Sequence, residues 1–259
     1  MLFSQDELAG LPDKFRWGKS AISHILSKFE NEAGSRTAFP CVFARNTVKR
    51  GNLRFLLIPY EPENSRYELG LLASGLRTYI DQINIDALDV NHNRSLLVLF
   101  EPLATLTTTD QFKHIFIEAM QFLLDEDQRP WPSHVSKDPA HRTWTMCFHG
   151  CELFVNVSHP AHVLRRSRNM GAGLAFIINQ RKIFDIAAPA NQQGSAITAK
   201  IRQNIDTYDD VAHSGLLGSY VLGEAQWQQY MIPDNNEDAR ALCTSSDGQY
   251  ISGVAVLAA

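Results

Sequence analysis

Residues 144–181 read WTMCFHGCELFVNVSHPAHVLRRSRNMGAGLAFIINQR, and the reading of this stretch decides how the rest of the chain is arranged. Two alternating apolar runs, 143–148 and 152–157, flank the pair His149-Gly150. Alternation sends neighbouring side chains to opposite faces of a strand, and a turn-prone pair between two such runs predicts a β-hairpin. Ser158-His159-Pro160-Ala161-His162 follows, then Arg165, Arg166 and Arg168. Gly171 and Gly173 interrupt the pattern, and residues 174–178 predict a buried strand. A rigid hairpin thus delivers the chain into a short segment that sets a histidine beside three guanidinium groups. An imidazole next to fixed guanidiniums can bind an anion, or hold a metal cofactor that carries acidic groups.

Working outward, residues 20–31 carry Ile22, Ile25, Leu26 and Phe29 at the spacing of an amphipathic helix, with Ser20 as its cap. Residues 39–43 are short and apolar, and Pro40 predicts an edge or a turn into a strand. Residues 53–60 predict a buried strand, 67–83 a helix, and 95–100 a strongly apolar strand ended by Pro102. Thr107-Thr108-Thr109-Asp110 opens a helix whose inner face carries Phe112, Ile115, Phe116, Ala119, Phe122 and Leu123. The polar loop 125–139 holds Pro130-Trp131-Pro132. A plug at the core edge is the favoured reading of Trp131; the stiff wall of a pocket is the other. Downstream, 196–208 predicts a helix, and a short helix holds Trp227 and Tyr230. The end is a loose tail or a last strand at 250–257.

The expected fold class is α+β (mixed α/β). One globular domain spans 1–259, with a central mixed or antiparallel sheet flanked by helices and with 1–19 and 235–259 peripheral. No repeats occur, and Gly171 and Gly173 lack the third glycine of a phosphate-binding GxGxxG.

The net charge of −4 over 259 residues argues against general nucleic-acid binding. Residues 153–205 nevertheless hold seven Lys or Arg and one acid, so a local basic surface faces something small and anionic. The first residues lack a basic region and a long apolar run, and no stretch is long enough to span a bilayer. The expectation is a soluble, cytoplasmic protein. Cys41, Cys147, Cys151 and Cys243 form no CxxC pair and are expected to be thiols; a Cys147–Cys151 disulfide across the hairpin is disfavoured.

His162 leads the candidate residues. If the segment after Pro160 is helical, His162, Arg165 and Arg166 share one face. A neutral imidazole ligates iron well, and the guanidinium fork matches a carboxylate. On spacing alone, a core histidine beside a solvated basic face is the stronger reading. His149 sits at the hairpin tip, and His213 lies in a loop where it could line a pocket. Cys41 could be a thiolate iron ligand, but a cysteine after Phe-Pro is more often a small buried hydrophobe.

At these residues the chain resembles the YqcI/YcgG family from about Phe39 to Asp234. The matching blocks are FPCVFA at 39–44, Asp127 with Pro130-Trp131-Pro132, Asp138-Pro139 to Trp144, and Cys147-Phe148 with Gly150. They continue with Pro160-Ala161-His162, the run Arg165-Arg166-Ser167-Arg168-Asn169, Ile201-Arg202, Tyr208-Asp209, residues 217–220 and Trp227 to Asp234. The run PAH, two variable positions, then RRSRN is the most specific. Departures are Asn179-Gln180 before Arg181, where the family has Gln-Pro, and Ser214, where it has proline. Relatives often carry asparagine at position 149, which lowers His149 as an iron ligand.

The resemblance implies a haem-dependent monooxygenase that N-hydroxylates a guanidine or amine, on L-arginine or an arginine-derived compound, with O2 and external electrons. It implies haem b, with His162 as axial ligand and His149 or Cys41 as fallbacks. Arg165, Arg166, Arg168 and Arg181 would hold the propionates or a substrate carboxylate. Asp127 and Glu152 would pair with the substrate guanidinium, Trp131 would wall the pocket, and His213 would line it. No nucleic acid and no membrane is expected as a partner; the electron donor is unassigned, and a homodimer stays open. Two other classes fit the same cluster: a haem-binding or sensor protein without turnover, and a metal-free anion-binding module.

Overall fold

Leu53–Ile58 and Ser95–Phe100 are almost uniformly apolar, and uniform apolarity suits strands covered on both faces. They pair in parallel at the middle of the sheet. The computed structural model describes residues 2–31, 37–60, 65–83, 88–139, 141–218 and 226–237. Within them the strands are β1 (Leu2–Ser4), β2 (Leu53–Ile58), β3 (Ser95–Phe100), β4 (Met146–Phe148), β5 (Cys151–Ser158) and β6 (Ala175–Gln180). Their order across the sheet is β1-β2-β3-β6-β5-β4. Every neighbouring pair but β2–β3 is antiparallel, so the sheet is mixed and the fold is α+β, a single domain. Parallel neighbours need a long crossover, and α3 (Ser65–Asp81) supplies it.

The remaining helices are α1 (Arg16–Ser27), α2 (Val42–Lys49), α4 (Thr109–Asp125), α5 (Lys182–Ala187) and α6 (Gln192–Tyr208). Strand alternation sorts the core into two layers. Leu56, Ile58, Leu96, Val98, Phe176 and Ile178 pack with Leu72 and Leu76 of α3 and Phe112 and Leu123 of α4. Phe55, Leu57, Leu97 and Leu99 face the other way, against Ile22 and Ile25 of α1.

Local chemistry explains the element ends. Thr108 caps α4 through a reciprocal bond set with Gln111, worth about 1 kcal/mol. His149 (φ 52°) and Gly150 (φ 73°) both occupy the left-handed region, which a two-residue hairpin turn with the right twist requires. Gly173 has no room for a Cβ, because the Phe100 carbonyl oxygen would lie 2.7 Å from it.

Three expectations change. Residues 39–43 do not turn into a strand: Cys41 is extended (φ −79°, ψ 111°) and caps α2, its Sγ accepting from the Ala44 amide at 3.5 Å. The segment after Pro160 is not a helix. It is a turn followed by one 3-10 turn at Arg166–Arg168, so His162, Arg165 and Arg166 do not share a helical face. The first helix begins at Arg16, without Ser20 as its cap. Cys147 and Cys151 are buried free thiols, as expected. The tail strand at 250–257 and Cys243 lie outside the described residues. No described helix is long and apolar enough to cross a membrane.

Candidate functional site

The sheet face beneath α1, α2, α5 and α6 is not closed by side chains. Two adjoining cavities lie on it, about 230 and 240 Å3, and Phe39, Cys41, Phe43, Phe154, Asn156 and Phe184 line both. Their floor is polar where a sheet interior is normally apolar. Asn156 on β5 stands opposite Ile177 on β6, and Phe154 opposite Asn179. The Asn179 Oδ1 accepts from Ser95 Oγ at 2.6 Å and from Asn93 Nδ2 at 3.3 Å. Flat aromatic walls above a few placed polar groups are the usual make-up of a ligand site.

Arginines enter this space from the segment after the hairpin. The loop is folded onto the end of β5: Ser158 Oγ donates to the Arg168 carbonyl at 2.6 Å and accepts from the Met170 amide at 2.8 Å. The Asp234 carboxylate caps the backbone amides of Leu164 and Arg165, and Asp209 accepts from the Ser167 amide and hydroxyl. The buried Arg165 side chain donates to the carbonyls of Pro233 and Ala212 and to Asn236 Oδ1. Arg168, also buried, donates to Asn156 Oδ1 at 2.8 Å and to the Tyr230 carbonyl at 3.3 Å. Both line the larger cavity. Among the described residues neither makes an ion pair with a carboxylate, and burial lowers the pKa of both. Their hydrogen bonds go to neutral oxygens, while Asp209 acts on both and Asp234 on Arg165 only through space, and buried charges are ordinarily paired directly. The site is therefore poised for an anionic group.

Cys41 supplies a sulfur to the same walls. Burial pushes its thiol pKa up, while the Ala44 and Phe43 amides and Arg45 pull it down. His162 is fully buried elsewhere. Its Nε2 bonds the Ile232 carbonyl at 2.8 Å, its Nδ1 has no partner among the described residues, and it lines neither cavity. It stacks on His159 at 3.8 Å, which stacks on Phe112 at 4.8 Å.

The other expected site residues are held by the protein. Arg166 is half-exposed, pairs with Asp210 at 3.3 Å, bonds the Tyr208 carbonyl and lies over the Tyr208 ring. Arg181 is buried between Glu152 (2.9 Å) and Asp185. Glu152 also bonds His134 at 2.8 Å; burial alone would raise its carboxyl pKa, but His134, Arg181 and Lys182 together hold it below the ordinary value. Asp127 accepts from the His149 amide at 2.9 Å and so anchors the hairpin tip, where His149 also meets Asp81 at 3.0 Å. Trp131 donates to the Val135 carbonyl at 2.9 Å and packs on the closed core. His213 faces Asp206 at 2.9 Å. None of these seven lines either cavity. Asn156, Asn179, Arg202 and Gln226 do, and none of them is among the expected site residues. A signal was present: Asn156 and Asn179 interrupt apolar strands at positions that alternation turns inward.

Among the described residues no three of His, Cys, Asp or Glu gather to hold a bare metal ion. A profile of the YqcI/YcgG family matches residues 29–243. The chain is 33% identical to the Streptomyces lavendulae protein named "Putative N(omega)-hydroxy-L-arginine synthase DcsA", over 93% of this chain and 88% of that one. Two Bacillus subtilis (strain 168) proteins, YqcI and YcgG, are 27% and 25% identical, each over 85% of this chain and over 84% and 85% of their own length. No solved structure matches. With the family profile covering most of its length, this chain belongs to the YqcI/YcgG family.

Proposed function

We propose that this protein N-hydroxylates a guanidine or amine group, that of L-arginine or an arginine-derived compound, as a haem b-dependent monooxygenase using O2 and an external electron donor. One observation carries the reading: two buried guanidiniums without a carboxylate partner, Arg165 and Arg168, share an aromatic cavity with a cysteine sulfur. The name of the Streptomyces relative supports arginine as the substrate.

The residues present fit haem. Phe39, Phe43, Phe154 and Phe184 offer apolar walls to a flat macrocycle. Arg165 and Arg168 would hold its propionates, since the guanidinium fork matches a carboxylate. Of the candidate ligands, Cys41 has the better support. Its sulfur lies on the cavity wall at a helix N-cap, where burial holds the thiol pKa above its ordinary value and the Ala44 amide, pointing at the sulfur, offsets part of that. His162 would first have to give up the Ile232 carbonyl and leave a closed core. His149 is tied at the distant hairpin tip.

Haem, when bound, supplies the oxygen chemistry. In the net reaction one oxygen atom enters an N–O bond and the other leaves as water, with an electron pair from the donor and protons from solvent. The chain's share is orientation and exclusion of water. The aromatic walls keep the space dry, and the Asn156–Arg168 bond fixes a cation at its floor.

Absorption spectra of haem-loaded protein, reduced and under carbon monoxide, test this. A band at roughly 450 nm is expected for thiolate ligation, lost in Cys41→Ser. A band at roughly 420 nm that survives Cys41→Ser would return the ligand to histidine. Failure to take up haem would overturn the oxygenase reading. A haem spectrum with no product from arginine and reductant would point to a haem-binding protein without turnover.

A further inference from the structure

Two side chains that wall the larger cavity each carry one buried polar atom without a partner among the described residues. Arg202, on α6, donates through Nη2 to the Leu217 carbonyl, which fixes its guanidinium; its Nε has no acceptor among the described residues. Gln226 is 8% exposed, and its Oε1 has no donor among the described residues. Both line the cavity that also holds Phe39 and Cys41. Leaving either group dry and unpaired is costly, so a ligand or water must meet them.

The two groups are of opposite sense. One is a cationic donor, the other a neutral acceptor. A bare anion would satisfy only Arg202, and a bare guanidinium or amine only Gln226. The head of a free α-amino acid presents a carboxylate and an ammonium on one carbon and satisfies both. Arg165 and Arg168 are assigned in the proposed reading to the haem propionates, and Asp185, the carboxylate of this cavity, is taken up by Arg181. Arg202 and Gln226 are the pair left with vacant valences.

We infer that Arg202 and Gln226 clamp the α-carboxylate and α-ammonium of a free amino-acid substrate, so that a decarboxylated amine is discriminated against. The inference rests on the proposed arginine hydroxylation and adds the group that the enzyme reads at the far end of the substrate.

Calorimetric titration of the haem-loaded protein with L-arginine and with agmatine, without reductant, separates the possibilities. Wild type is expected to bind L-arginine about tenfold or more tighter than agmatine, the worth of one charge-assisted pair. Arg202→Gln should bring the two to parity by weakening arginine alone. Gln226→Met should weaken both, because agmatine keeps the amine. Parity in wild type, an Arg202→Gln effect equal on both ligands, or no effect of Gln226→Met would overturn the clamp. If wild type hydroxylates arginine while any of these holds, only the clamp falls. If wild type binds neither ligand, the arginine reading falls with it. Should Arg202→Gln fail to fold, the wild-type ratio and Gln226→Met still decide.

Discussion

The two faces of one sheet differ. On the α3/α4 side, Leu153, Val155 and Val157 of β5 meet Phe176 and Ile178 of β6 in a closed apolar layer. On the other side the same two strands offer Phe154, Asn156, Ile177 and Asn179 to open cavities. A single strand thus carries both assignments, one on odd and one on even positions. Stability is concentrated where apolar residues interlock, and binding where polar residues take inward positions and leave space. The price of the open face is two buried guanidiniums whose hydrogen bonds go to neutral oxygens, with Asp209 acting on both only through space.

The largest expected effect on this contrast comes from neighbouring residues that point opposite ways. Phe176 is fully buried and meets Phe100 and Phe116 edge-on at 5.0 and 5.6 Å. Phe176→Ala should cost about 3–5 kcal/mol in urea unfolding, through lost transfer energy and an unfilled hole. Ile177, one residue on, borders empty space already. Ile177→Ala should cost less than half as much while changing ligand affinity. Equal losses from the two would break the distinction between the faces.

A smaller effect comes from the histidine pair that joins the faces. His159 packs on Phe112 of the closed layer, and His162 bonds Ile232, which lines the cavity. Burial, then His162 and Arg168, lowers His159 to about 3; burial and the nearby arginines lower His162 to about 4, against the Ile232 carbonyl and Asp234. The unfolded chain takes up these protons below about pH 6.5, and the folded one does not. Stability from the pair is therefore complete above about pH 6.5 and is lost as pH falls toward 4, at up to about 1.4 kcal/mol per unit for each histidine. His159→Phe keeps the stack and removes one titration. In haem-free protein it should flatten the slope of unfolding free energy between pH 6 and 5 by about that amount. An unchanged slope would mean the pair is not protected as packed.

Much of the fold was legible because it rests on local signals. The hairpin, the strands at 53–60 and 95–100 and the long helices follow from periodicity and turn chemistry, and the observed ends shift by a few residues. At Cys41 the fold departs from the expected turn into a strand: the cysteine is extended but starts a helix through a sulfur–amide bond that composition does not announce. The basic segment stands out in the sequence, but the helical spacing that draws attention to it is absent from the fold. Arg165 is held by Pro233 and Asn236 and the neighbouring Ser167 by Asp209, long-range partners that no local pattern encodes. In the sequence Arg181 and Glu152 stand as separate contacts for ligands. They bond each other instead, which strand pairing alone could not foretell.

Trp131 offers the smallest and most selective test. Between its two prolines it reads from sequence as a core plug or as a pocket wall. Its Nε1 donates to the Val135 carbonyl, and its ring lies against the closed layer, away from both cavities. Trp131→Phe keeps most of the apolar area and deletes that hydrogen bond, so the expected loss is about 1 kcal/mol. Haem uptake and the affinity for L-arginine should not move. A change in arginine affinity larger than about threefold, with folding intact, would put Trp131 in contact with the ligand. The division of labour between the two faces would then have to be redrawn through the 125–139 loop, because the closed layer would itself reach the substrate.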